Sequence, residues 1–199
     1  MGDDLRTVVR KLLGRPLRDS DGIPVQEIEK TEYILNASMP DALKEWFGSI
    51  GNVSLFMSGF QRMYTPATLI LQDGKLIFME ENQGVCYWAV DMQQRTRVYQ
   101  SVSLIDPEWY DEGISLSDFL VLMLYYQYVQ GNPIQNVIAA DDEEEREELI
   151  NNLERNFEKV ADHNGLAIYS DTKKLCWFFY EESITDFTEI NETAIIPFL

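Results

Sequence analysis

Leu5, Val8, Val9, Leu12 and Leu13 recur at helical spacing, which predicts an amphipathic helix at the start of the chain. Asp3 or Asp4 can cap it, and Gly14 with Pro16 ends it. Residues 14–30, with Pro16, Asp21-Gly22 and Pro24, read as irregular. Within them Asp19-Ser20-Asp21-Gly22 hints at a calcium loop, but no bidentate glutamate follows at the right distance, so it reads as a plain turn. A second helix is expected from near Ser38. Ser38 and Asp41 have capping-box spacing, and Pro40 suits a first turn. Leu43, Trp46, Phe47 and Ile50 mark its buried face, and Gly48 and Gly51-Asn52 its end.

The period then changes. Thr68–Leu71 and Lys75–Glu80 flank Gln72-Asp73-Gly74, a strong hairpin signal. Glu81-Asn82-Gln83-Gly84 makes a further turn into Val85–Val90, a strand with apolar residues on both faces, and Thr96–Val102 is a fourth strand. A third helix runs from Leu116 to Gln130, capped by Ser115 with Asp118 and stopped by Gly131-Asn132-Pro133. It is apolar almost all round, so it should be the most buried helix. A fourth spans about Asp142 to Asp162, with Leu149, Leu153, Phe157 and Val160 as its stripe. Leu166–Ser170 and Lys174–Tyr180 close the chain as a hairpin through Asp171-Thr172-Lys173. Helices, a meander, helices and a hairpin make an α+β fold rather than alternating βαβ units. The expected architecture is a single domain over 1–199, with a mixed or antiparallel central sheet, flanking helices, and a C-terminal acidic helix and hairpin.

Charge narrows the function. The chain of 199 residues carries 16 basic and 34 acidic side chains, a net charge of −18. That argues against a partner held through phosphates, and against an anionic membrane surface. The longest apolar run, Phe119–Tyr126, is too short to span a bilayer, and residues 1–13 lack the apolar core of a secretion signal. The expected location is cytoplasmic. Seven of the eight residues from Asp141 to Glu148 are acidic: Asp141, Asp142, Glu143, Glu144, Glu145, Glu147 and Glu148, around Arg146. From Val98 to Glu145 there are ten acidic residues and no Lys or Arg. Such a run suits a basic protein partner, and equally suits solubility.

Candidate chemistry is sparse. His163 is the only histidine, which removes most zinc sites, and it reads as a residue at the C-terminal end of the fourth helix. Cys86 and Cys176 lie in apolar runs and read as buried thiols. No phosphate-binding loop, dinucleotide fingerprint or nucleophile elbow occurs. No catalytic residue, cofactor or metal is therefore expected. Asn82-Gln83-Gly84 reads first as a structural turn, and as a contact site second. Trp46, Trp88 and Trp177 read as core. Trp109 with Tyr110, in the polar stretch Asp106–Tyr110, is either a contact anchor or packing for the third helix.

Several segments together resemble one family. Met39-Pro40-Asp41-Ala42-Leu43-Lys44-Glu45-Trp46-Phe47 resembles the proline-led helix that opens SUKH-superfamily domains. Glu80-Glu81-Asn82-Gln83-Gly84-Val85-Cys86-Tyr87-Trp88-Ala89-Val90 is similar to the family's strand–turn–strand segment. Val98-Tyr99, Trp109-Tyr110 and Leu116-Ser117-Asp118-Phe119-Leu120 look like its closing strand and helix. The likeness covers about residues 31–130, and 131–199 form an extension with no matching motif. The superfamily includes a yeast regulator of cell-wall synthesis and many bacterial immunity proteins. The resemblance implies an α+β domain with a mixed sheet, no catalysis, and binding of a cognate protein toxin, nuclease toxins among them. A nuclease must be basic, which suits an acidic antidote. The expected function is thus a cytoplasmic immunity protein; the alternative is a scaffold or regulatory adaptor of the same fold, with an uncharacterised hydrolase a third class. The candidate partner surface is the acidic run 141–148 with Trp109 and Tyr110.

Overall fold

The structure is a computed structural model that describes residues 4–132, 136–138, 143–171, 173–182 and 188–197. Those residues form six α-helices and two antiparallel sheets, the α+β class that the pattern predicts. The helices are α1 Leu5–Leu13, α2 Val25–Leu35, α3 Asp41–Ile50, α4 Ser54–Ser58, α5 Leu116–Gly131 and α6 Glu143–Asn156. The first sheet holds β1 Arg62–Met63, β2 Ile70–Gln72, β3 Lys75–Glu80, β4 Tyr87–Asp91, β5 Arg97–Ser101 and β6 Tyr110–Ser115. Its order is β1-β3-β4-β5-β6, with β2 also on β3. The second sheet holds β7 Asn136–Ile138, β8 Glu158–His163, β9 Leu166–Ser170, β10 Lys174–Glu182 and β11 Thr188–Pro197, in the order β7-β11-β10-β9-β8.

Local chemistry sets several boundaries as expected. Asp4 caps α1 by accepting from the Thr7 amide at 2.9 Å, and Gly14 closes it in the left-handed region. Ser115 accepts from the Asp118 amide at the start of α5. Asp73 and Gly74 both have positive φ, which gives β2–β3 its two-residue turn.

Other boundaries differ. Residues 25–30 are helical, as part of α2, rather than irregular. Among α2's eleven residues only Ile28 and Thr31 are buried, while Val25, Tyr33 and Ile34 are exposed, so no apolar stripe announces it. Ser38 does not cap α3, whose cap position is Pro40. Ser38 and the Met39 amide donate to Glu32 of α2, which also pairs with Lys44 at 2.7 Å. Gly48 lies inside α3, and Gly51 is its C-cap. Residues 158–163 are not the last turns of the acidic helix but strand β8, paired to β9 from Glu158↔Ser170 to His163↔Leu166. Pairing to a neighbour overrides a local helical period there. The short helix α4 and the strands β1, β6, β7 and β11 extend the fold beyond the predicted elements. No parallel pair occurs among the described strands.

Residues 14–24 are held by one ion pair. Arg15 donates to both oxygens of Asp21, at 2.7 and 2.9 Å, and the Arg18 amide adds a third bond. The Arg15 guanidinium first, and the Arg18 amide second, hold the Asp21 carboxyl down at about 2. Asn52, just past α3, donates to the carbonyls of Ser20 and Gly22 and so ties this turn to α3. A Cβ on Gly22 would lie 1.9 Å from the Gly48 carbonyl oxygen, so only glycine fits.

The core is centred on α5, which buries ten of its sixteen residues. α1, α3 and α4 pack on it with the first sheet, where Phe78 and Trp88 meet Phe119. Leu166, Ile168, Leu175 and Trp177 of the second sheet join the same core. Their neighbours Ala167, Tyr169, Cys176 and Phe178 face the other way, onto Leu149, Ile150, Leu153 and Phe157 of α6 and the turn that follows it. That alternation is the period of two expected of a sheet buried on both faces.

One polar side chain enters the centre. Gln127 of α5 is fully buried. Its Oε1 accepts from the Phe60 and Gln61 amides at 2.7 and 2.9 Å, and its Nε2 donates to the carbonyls of Phe56 and Gln61 at 3.3 and 2.7 Å. All four of its bonding positions are used. Gln127→Leu keeps the bulk but strands these four backbone groups, so it is expected to cost about 3 kcal/mol. Urea unfolding measures this, and an unchanged midpoint would contradict the assignment.

Candidate functional site

The predicted partner residues stand on separate elements. Asp141 and Asp142 lie outside the described residues. Glu143 opens α6, and Glu144, Glu145, Glu147 and Glu148 are exposed along its first two turns. Trp109 and Tyr110 stand on the other sheet, just before and at the start of β6. Tyr110 is 56% exposed, and its hydroxyl donates to Glu108 at 2.7 Å, which raises its pKa. Trp109 is half-buried, and its buried indole Nε1 has no hydrogen-bond partner among the described residues. Val102 and Ile105, 71% and 97% exposed, stand on the same β5–β6 connection. The connection therefore presents an apolar projection beside Trp109.

Cys176 is buried as expected, whereas Cys86 is only half-buried, its thiol donating to Gln100 Oε1 at 3.4 Å. Burial first, and the Glu112 charge second, push the Cys86 thiol up to about 11; burial does the same to Cys176. Neither is a ready nucleophile near neutral pH. Among the described residues, no group of three or more His, Cys, Asp or Glu side chains is placed to hold a metal ion. No helix among them is long and apolar enough to cross a membrane.

His163 is not a helix-end residue, as the sequence suggested. It ends β8, and its imidazole turns toward Glu112 of β6, with Nε2 3.5 Å from Oε2. Glu112 is the better buried of the two, its side chain 5% exposed against 17% for His163. Glu112 also accepts from the Trp88 indole at 2.8 Å and from the Asn164 amide at 2.6 Å. This cluster ties the last strand of one sheet to the last strand of the other. β6 and β8 are both terminal strands, and each pairs on one side only among the described residues.

A cleft of about 440 Å³ opens beside this tie. Leu5, Ala42, Ile114, Val121, Val160 and Ala161 give it an apolar lining, and Asp4, Glu45, Asp118 and Asp162 bring four carboxylates to it. No Lys or Arg lines it. Ser117 and His163 share the lining, with Glu112 behind the imidazole, and these are the residue types of an acyl-transfer triad. The hydrogen bonds of a triad are not formed. His163 Nε2 is buried without a hydrogen bond, and none joins Ser117 to His163. Sequence reasoning missed this cleft because its carboxylates lie at positions 4, 45, 118 and 162 and meet only through the fold.

Asn82-Gln83-Gly84 is built as a turn. The Gly84 amide donates to the Glu81 carbonyl at 2.8 Å, the Asn82 amide to Gln61 Oε1 at 2.8 Å, and Arg62 to the Asn82 carbonyl. Gly84 has a φ of +75°.

No protein-family model matches this chain, and neither a curated protein nor a solved structure matches it.

Gly84→Val forces a branched residue into the left-handed region and is expected to cost about 2 kcal/mol. The melting temperature should fall by roughly 5 °C. Gln83→Ala, whose side chain is exposed, should leave it unchanged. An unaltered melting curve for Gly84→Val would show that the turn tolerates strain and would favour a contact role.

Proposed function

We propose that this chain is a cytoplasmic immunity protein that neutralises a basic protein toxin by binding it, with no chemistry of its own. The observation that carries this reading is the acid-rich surface at the start of α6, where Arg146 is the single basic residue of an acidic run. Glu144, Glu147 and Glu148 are exposed there, in a chain of net charge −18 that has no Lys or Arg from Val98 to Glu145. A field of one sign accelerates encounter with a partner of the other sign and repels nucleic acid, so it fits an antidote to a basic toxin. The exposed apolar residues Val102, Ile105 and Tyr110 add material for short-range contact. The likeness of residues 39–47, 80–90 and 116–120 to SUKH segments supports the same class of partner. The unactivated thiols and the unformed hydrogen bonds around His163 agree with binding rather than catalysis.

The test uses the product of the gene beside this one. Cells that express it should survive when this chain is co-expressed, and purified samples should form a complex. The triple variant Glu144→Gln, Glu147→Gln, Glu148→Gln should associate about fivefold more slowly at low salt and respond less to added salt. Its dissociation rate should change little, and its melting temperature not at all. Association that ignores both salt and these substitutions would leave the acid surface with a solubility role. Absence of both protection and complex would remove the immunity reading.

A further inference from the structure

We propose that the cleft that β8 forms with α1, α3, α5 and the end of β6 seats an extended, basic segment of the partner protein, with an arginine or lysine side chain inserted among its carboxylates. The inference deepens the binding function above and rests on it. Four carboxylates and no cation line the cleft, and its remaining lining is largely apolar. That combination fits a side chain with a hydrocarbon stem and a cationic head, since the stem covers apolar surface while the head meets acid. The volume of about 440 Å³ lies in the range that encloses a small organic group.

The four carboxylates have partners within the chain. Glu45 stands 3.6 Å from Arg6 and Asp162 stands 3.0 Å from Lys159, and all four side chains are at least 36% exposed. Exposed pairs of this kind contribute little and exchange readily. Asp4 caps α1 by accepting from Thr7, Asp118 accepts from the Ser115 hydroxyl at the start of α5, and their oxygens retain further lone pairs. Low-dielectric walls strengthen the attraction of such a group for a cation.

The backbone bordering the cleft suits an extended occupant. β6 and β8 are the terminal strands of their sheets, and Ile114, Val160 and Ala161 bring them both to the lining. A strand edge paired on one side offers amides and carbonyls to a peptide laid along it. The Glu112 cluster holds the two edges at a fixed spacing, so the seat is formed before the partner arrives.

The probe is a fluorescent five-residue peptide alternating valine with arginine. Its partner peptide carries citrulline, which keeps the shape of arginine without the charge. Fluorescence anisotropy against the full chain should show binding of the arginine peptide that weakens with salt, and at least about tenfold weaker binding of the citrulline peptide. The double variant Glu45→Gln, Asp162→Asn spares both helix caps and should weaken the arginine peptide about fivefold, with an unchanged melting temperature. Ala161→Arg places a cation of the chain's own in the seat and should abolish binding; should it fail to fold, the double variant decides. The same variants should reduce protection against the neighbouring-gene product. Equal binding of the two peptides, no binding to the wild-type chain, or full protection by the double variant would overturn the proposal. If the wild-type chain binds the arginine peptide but neither protects from nor binds the neighbouring-gene product, the immunity reading fails while the cation seat stands.

Discussion

A sixteen-residue helix with no polar stripe cannot rest on one layer of structure, and α5 is such a helix. It must be enclosed, and the rest of the chain is the enclosure. The first sheet meets it through Phe78 and Trp88, α1, α3 and α4 pack on it, and β8 closes a further side. Gln127 shows how complete the enclosure is. A buried amide is tolerated only when all its bonds are made, and four backbone groups from residues 56–61 make them. The irregular stretch between α4 and β1 is held in place by a side chain of α5, not by its own sequence.

Two antiparallel sheets brought to one helix leave a seam where their last strands approach. The chain closes the seam on one side with a buried carboxylate. Glu112 accepts from Trp88 of its own sheet and Asn164 of the other, and stands beside His163. A carboxylate is costly to bury without partners, so this cluster specifies how the sheets sit as well as holding them. Beside it an acid-lined cleft opens, walled by α1, α3, α5, β8 and the end of β6. The cleft is thus a consequence of how α5 is covered, not a separate device.

Elements that bury one face at a regular period were legible in the sequence. α1, α3, α5, the Asp73-Gly74 hairpin and the β9–β10 pair follow from apolar spacing, caps and turn residues. α2 was not, because it buries only Ile28 and Thr31 and leaves its apolar ends outside. Val160 was assigned to a helical stripe because a strand and a helix can share one or two apolar positions, and only pairing with β9 separates them. The acid run was visible as composition. The cleft was invisible, since Asp4, Glu45, Asp118 and Asp162 have no common motif and no common period. His163 was misplaced for the same reason: its neighbour Glu112 is fifty-one positions away in the chain and close only in the fold.

Acid surface, apolar projection and cleft each suggest a partner, and they are built from different elements. Where the partner sits distinguishes them. Hydrogen exchange of the full chain, alone and in complex with the neighbouring-gene product, tests it most directly. The account predicts slowed exchange at the amides of β6 and β8 that border the cleft and at the starts of α1 and α5. Protection confined to α2 and the β2–β3 hairpin, with β6 and β8 exchanging as in the free chain, would contradict it.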